Sequence, residues 1–451
     1  MSPPTSSTLL HRSLDKTYPT AVGTEGIYLL TSDGRKILDG SSGAAVSCLG
    51  HGNREVIEAI CEQAQKLAFA HTSFFTSDPA EELGRLIIEK SSYHFNKVLV
   101  LTSGSEAVES ALKLALQYHV YNNQPQRVNI IGRKHSYHGN TLGALAAGYN
   151  PARRATFEPV LGRTFHHVNR CFYQADGKGI SEPAYEDGLI SEFEQRFLEL
   201  GPETVAAVIV EPVVGATIGS VPATSTYLPR LVELCNRYGV LTIFDEVMCG
   251  MGRVGSYHAW QSLGNVAPDL QTIGKGLGAG YQPLSAVLLG KRVSDVFEIH
   301  SRGPRAFLSG HTFQGHSMAC AGALAVQRIL FRDDLVSRCQ RLGQILHDTL
   351  ATNLPPEWRT HGGTLRGLGL FRTVDFGNMY QQYGGPVAGE VSRRALALGA
   401  AVYLCSPAVD AVLLCPPFVA TDLEMEKLSN ILVAALTDVM KSREEPRRGK
   451  I

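Results

Sequence analysis

Short apolar runs that stop at a polar residue recur along this chain. KVLVLT (97–102) stops before Ser103-Gly104-Ser105-Glu106-Ala107. A second run at 127–131 precedes Ser136-Tyr137-His138-Gly139. VAAVIV (Val205–Val210) ends at Glu211-Pro212, VLTIF (240–244) at Asp245-Glu246, and LQTI (Leu270–Ile273) at Gly274-Lys275; SAVLL follows at 285–289. Runs this short and continuous suit strands buried on both faces. Helical patterns lie between and after them. Ala107, Ala111, Leu112 and Ala115 share one face, with Glu109 and Lys113 as an i,i+4 pair, and Tyr227–Tyr238 and 318–331 have helical spacing. Strands alternating with helices predict an α/β fold, a mostly parallel sheet sandwiched by helices. Ligands bind such sheets beyond the carboxyl ends of the strands. Ser105, Tyr137, Glu211, Asp245 and Lys275 all fall just there.

The rest of the chain is less regular. Residues 26–40 read as a hairpin around Ser32-Asp33-Gly34, and 55–69 as a helix with Val56, Ile57, Ile60, Ala64 and Leu67 on one face. Residues 360–451 mix short strands and helices. At 451 residues the chain exceeds one ordinary domain. The expected division is a mobile tail (1–20), the N-terminal part of a small α+β domain (21–70), a large ligand-binding domain (71–330), and the C-terminal part of the small domain (331–451). Phe74 and Phe75, in a Ser/Thr-rich stretch, are either core anchors under a loop or an apolar wall of a substrate pocket.

Forty-two basic residues balance 42 acidic ones. No basic stripe favours nucleic acid, and the near-neutral balance is compatible with an oligomer. No apolar run is long enough for a membrane span. Nine dispersed cysteines without a CxxC pair or zinc spacing predict reduced thiols and no metal site. A cytoplasmic location is expected, although the N-terminal segment, with no acidic residue before Asp15, leaves an organellar address open.

The chemistry centres on Lys275. Gly274 precedes it, and Gly276, Gly278 and Gly280 follow. A lysine in such a cramped loop either contacts phosphate, or is merely solvated, or holds an aldehyde as a Schiff base. Pyridoxal phosphate would need four further things: a carboxylate by the ring nitrogen, an aromatic stacked on the ring, an apolar residue on the opposite face, and a helix N-terminus for the phosphate. Asp245, Tyr137, Val247 and the Gly104-Ser105 turn suit these in order. Each has a plainer reading: Asp245 as a helix cap, Tyr137 as a core aromatic, Val247 as packing, and Ser103 or Ser105 as a cap.

Taken together, TSGSEAVESALKLA, SYHGNTLGALAAG, EPVVGATIGSVPATSTYLPRLVELCNRYGVLTIFDEVMCGMGRVG, PDLQTIGKGLGAGYQPLSAVLLG and HTFQGHSMACAGALA resemble the class III, or ω-, aminotransferases of fold type I. The resemblance implies a pyridoxal 5'-phosphate enzyme acting on a small-molecule amino donor and a keto-acid acceptor. Lys275 would be the Schiff-base lysine and proton shuttle, Asp245 the partner of the ring nitrogen, and Glu211 an acid near the ring hydroxyl. Gly104 and Ser105 would bind phosphate. Tyr137 would stack on the ring, with His138 beside it in the cofactor-binding set, and Val247 would pack behind. Thr312 would reach the phosphate of a neighbouring subunit in a homodimer with shared sites. Two departures stand out. Met248 replaces a glutamine frequent in relatives, and 402–414 (VYLCSPAVDAVLL) lacks a mobile arginine that many relatives use for carboxylates. Arg302, Arg305 or Arg366 would then have to anchor a carboxylate, or the substrate lacks one there; for each, a plain surface role is the alternative. The expected reaction is amino transfer from an amine or ω-amino acid, with pyruvate favoured over 2-oxoglutarate. An aminomutase, racemase or decarboxylase on the same scaffold is the alternative.

Overall fold

The computed structural model describes residues 7–300 and 306–448, with side chains to residue 444. Its centre is a seven-stranded sheet. In spatial order the strands are Phe95–Leu101, Ser285–Gly290, Leu270–Ile273, Leu241–Asp245, Val205–Val210, Asn129–Arg133 and Phe165–Val168. Only Ser285–Gly290 runs antiparallel to its neighbours. The continuous apolar runs have a physical cause: both faces of the sheet are covered. Ala286 and Leu288 belong to one core cluster, while Val287 and Leu289 belong to the other. Ala107, Ala111 and Ala115 of helix Gly104–Tyr121 lie in that second cluster. Their small side chains let the helix lie close on the sheet. Tyr227 and Leu228 of Tyr227–Tyr238 and Phe193 of Glu182–Leu200 pack in the first.

Among the described residues, two smaller four-stranded sheets and the two-stranded pair Val213–Val214 and Val221–Pro222 accompany this one. Ala21–Glu25, Tyr28–Thr31 and Lys36–Asp39 form an antiparallel meander closed by the parallel strand Ala400–Ala401. The N-terminal and C-terminal segments therefore share a sheet. Thr364–Leu368, Phe371–Asp375, Ala411–Leu414 and Tyr403–Leu404 form the other. The expected hairpin is present, preceded by one more strand. The helix expected at 55–69 is Arg54–Lys66. Val56 is buried, but Ile57 is exposed, so its apolar face is only partly covered within this chain.

Candidate active site

The carboxyl ends of the parallel strands converge on a cavity of ≈ 420 Å³. Gly104, Ser105, Tyr137, His138, Glu211, Asp245, Val247 and Lys275 all line it. The local reasons differ from residue to residue.

Lys275 opens a one-turn 3-10 segment, Lys275–Leu277, directly after the strand ending at Ile273. Its own backbone is left-handed, at φ 47°. A lysine there costs on the order of 1–3 kcal/mol and is held only where the surroundings impose it. Burial lowers the proton affinity of its amine below the ordinary lysine value, with Asp245 pulling the other way.

Asp245 is the last residue of its strand and is buried. One carboxylate oxygen accepts from the Val247 N–H at 3.1 Å and the Thr272 hydroxyl at 3.0 Å. The other lies 2.7 Å from His138 Nδ1. An ionised carboxylate can only accept, so Nδ1 of His138 carries the proton. Nε2 of the same ring is buried without a partner among the described residues.

Glu211 is buried. Its two oxygens accept from the backbone N–H of Tyr137 at 3.2 Å and of Gly215 at 3.0 Å. Burial raises its carboxyl above the ordinary range. Glu211 therefore braces the turn that carries Tyr137.

Ser103, not Ser105, caps helix Gly104–Tyr121, forming a reciprocal capping box with Glu106. The Ser105 hydroxyl instead accepts from the Asn140 N–H at 3.0 Å. Gly139, at φ 140°, makes this approach possible, because a Cβ there would stand 2.7 Å from Ser105 Oγ. A Cβ on Gly104 would meet Val247 Cγ1 at 2.7 Å. Val247 is thus wedged against the helix start. The first N–H groups of a helix have no carbonyl of their own turn to bond, so Gly104 and Ser105 offer free donors to an anion.

Several expectations need correcting. Phe74 and Phe75 do not line the cavity of their own chain; they are 79% and 66% exposed. No described residue buries them, so they are neither core anchors nor a wall of this pocket. Thr312, expected to serve a neighbouring subunit and not its own, is exposed and outside the cavity of its own chain. Arg366 is not a surface residue: only 4% exposed, it pairs with Asp375 at 2.7 Å and donates to the carbonyls of Gly219 and Ile218, each at 2.7 Å. A further bond from Nη1 to the Thr364 hydroxyl, at 3.1 Å, ties it into the fold, and it does not line the cavity. Arg302 and Arg305 lie outside the described residues. The arginine-free strip does reach the site, since Tyr403, Leu404, Cys405, Ser406 and Pro407 line the cavity and bring no charge. Arg12 and Arg153 also line it, and neither was expected there. No motif in the sequence marks either one.

A half-buried amine, a carboxylate and a free helix start around one cavity, beyond the carboxyl edge of a mostly parallel sheet, make up the donor set of a pyridoxal-phosphate enzyme, and the residues present fit that cofactor. The family model described as Aminotransferase class-III matches residues 11–436. The chain belongs to the class III aminotransferases, which use pyridoxal phosphate. It is 42% identical over 364 residues to an uncharacterized aminotransferase of Schizosaccharomyces pombe, covering 80% of this chain and 78% of that protein. It is 34% identical over 316 residues to a putrescine–pyruvate aminotransferase of Pseudomonas aeruginosa, covering 70% and 68%. The solved structure of the omega transaminase from Pseudomonas jessenii in complex with PMP superposes with a TM-score of 0.88, at 29% identity, covering 95% of this chain and 94% of that one.

Proposed function

We propose that this aminotransferase moves an amino group from an amine or ω-amino acid to a keto acid, pyruvate before 2-oxoglutarate, in two half-reactions run in turn through Lys275. The observation that carries this is the meeting of Lys275, Asp245 and the start of helix Gly104–Tyr121 in one cavity. Bound pyridoxal phosphate supplies a reactive aldehyde carbon and a ring that draws electrons from the substrate carbon. Lys275 takes and returns the proton, and burial, by making its amine less basic than an ordinary lysine, eases the return. Asp245 supplies the negative charge that favours a protonated ring nitrogen, with His138, Thr272 and the Val247 N–H fixing its orientation. Tyr137, braced by Glu211, and Val247 would hold the ring. The N–H groups of Gly104 and Ser105 would take the phosphate.

The donor preference rests on the uncharged strip at 403–407 and on Met248, both at the cavity. A short dicarboxylic donor such as glutamate would bury a second carboxylate against them, at a cost of several kcal/mol if left unpaired. The relatives' names divide on the acceptor: one is named for pyruvate, and a Halomonas elongata relative is named a diaminobutyrate–2-oxoglutarate transaminase. With donor alone, the holoenzyme should lose the visible absorbance of its cofactor. A decarboxylase would release carbon dioxide, and a racemase would leave the spectrum largely intact. The expected order of kcat/KM, under one acceptor, puts amines and ω-amino acids above glutamate. A clear preference for glutamate over every amine tested would overturn the donor assignment.

We further propose a homodimer with shared sites. Phe69, Phe74, Phe75, Leu308 and Phe313 are all exposed, and Phe69 makes an edge contact with Phe313 at 5.7 Å. Exposed aromatic clusters of this kind mark interaction surfaces. Thr312 lies beside Phe313 and outside its own cavity, as a residue serving a neighbouring copy would. Light scattering of the cofactor-loaded protein at micromolar concentration should give a dimer, and a monomer would defeat the claim. The division at residues 20, 70 and 330 likewise stands as a proposal, supported by the separate sheets.

A further inference from the structure

The uncharged strip at 403–407 offers a substrate carboxylate no partner, yet the cavity is not without cations. Arg153 sits in the short helix Pro151–Arg154 and lines the cavity. Its guanidinium carbon stands 5.0 Å from the centre of the Tyr137 ring. Among the described residues it has neither a hydrogen bond nor an ion pair through its side chain. The adjacent Arg154 is fully engaged. It is buried, pairs with Glu158 at 2.7 Å, donates to the Gly148 carbonyl at 2.7 Å, and lies over the Tyr149 ring. Of two neighbouring arginines, one is structural and one is free.

A second free group stands beside Arg153. Asn150 is only 7% exposed and lines the same cavity, and its side-chain amide makes no hydrogen bond among the described residues. Its amide atoms are not sealed off from the cavity, so they are open to a ligand there. The cavity's own carboxylates do not need Arg153. Asp245 is satisfied by His138, Thr272 and the Val247 N–H, and Glu211 by two backbone N–H groups. Arg12 also lines the cavity, and its charge, like that of Arg153, counters the burial that raises the Tyr137 phenol. Both cations therefore lie near Tyr137, but of the two it is Arg153 that lies against the ring.

We propose that Arg153, with the Asn150 amide beside it, binds the carboxylate of the keto acid or ω-amino acid. The inference rests on the aminotransferase reading above. A guanidinium offers two parallel N–H donors to a carboxylate, and Arg153 keeps all of its side-chain donors free for one while its guanidinium carbon rests 5.0 Å from the Tyr137 ring centre. The anchor is then a specificity-determining residue: it favours substrates carrying one carboxylate at the distance from the reacting carbon that Arg153 sets.

The test uses the holoenzyme and two unreactive probes of equal shape, propionate and propionamide, with binding followed by calorimetry. The wild type should bind propionate more tightly than propionamide. Arg153→Gln should weaken propionate by roughly tenfold or more, the usual loss for one charge-assisted pair, with little change for propionamide. Arg153→Lys should recover part of the loss. KM for pyruvate should rise in Arg153→Gln. Equal binding of both probes by the wild type, or loss of propionate in Arg12→Gln but not in Arg153→Gln, would overturn the inference. So would a weakened hold on pyridoxal phosphate with propionate unchanged, since Arg153 would then serve the phosphate. Discharge of the cofactor absorbance in the wild type by an amine alone is read separately. It reports on amino transfer itself, so failure of the anchor and failure of the reaction assignment are told apart.

Discussion

Lys275→Ala should remain folded, retain the cavity and lose amino transfer by several orders of magnitude. The backbone at Lys275 is already left-handed, and alanine is no worse there than lysine. What the substitution removes is the amine. If Lys275 served only as a positive charge beside Asp245, Lys275→Arg would restore much of the rate. The proposed role requires an amine that can form a covalent bond and pass a proton, which a guanidinium cannot do at neutral pH. Both variants should therefore be similarly inactive in a single half-reaction, followed by the cofactor spectrum after mixing with donor. Turnover by Lys275→Ala at the wild-type rate, with an unaltered cofactor spectrum, would sink the assignment.

Asp245→Asn should also fold, and the hydrogen bonds say why. The amide oxygen can take over the two bonds from Val247 N–H and Thr272, leaving the amide nitrogen facing His138 Nδ1. His138 can accept there by moving its proton to Nε2, which has no partner to lose among the described residues. The shape survives while the charge is lost. The rate should fall by roughly a hundredfold, or ~3 kcal/mol of barrier. A rate within about threefold of wild type, a difference under ~1 kcal/mol, would mean that the charge of Asp245 is not needed. Thermal stability measured alongside separates a lost charge from a damaged site.

Much of this architecture was legible because the same physical demand repeats. A strand covered on both faces must be apolar throughout, and the residue that ends it must face whatever lies beyond the sheet. That is why Val205–Val210, Leu241–Asp245 and Leu270–Ile273 could be read with their terminal Glu211, Asp245 and Lys275. Phe165–Val168 (FHHV) escaped for the opposite reason. It is an edge strand of four residues, two of them histidines, with no apolar run to betray it. Ser105 was legible as part of the phosphate turn, but its bond to the Asn140 N–H was not, because that contact joins residues 35 apart in sequence.

What the sequence by itself determined was six of the sheet's seven strands, the residues at their ends and the chemistry offered at each. Those follow from local hydrophobicity and from residues that stop a strand. The tertiary structure alone decided which charges are free. Arg153 and Arg154 are adjacent and share one local context, yet one meets Glu158 and two carbonyls while the other meets only a ring and the open cavity. Arg366 could pass in sequence for a ligand-binding arginine, and the fold buries it against Asp375. Phe74 and Phe75, apolar enough for a core, remain exposed because no described element of the chain covers them. A long cationic or aromatic side chain carries no record of its partner in its own neighbourhood. The partner is set by contacts between segments distant in sequence, and those exist only once the chain has packed.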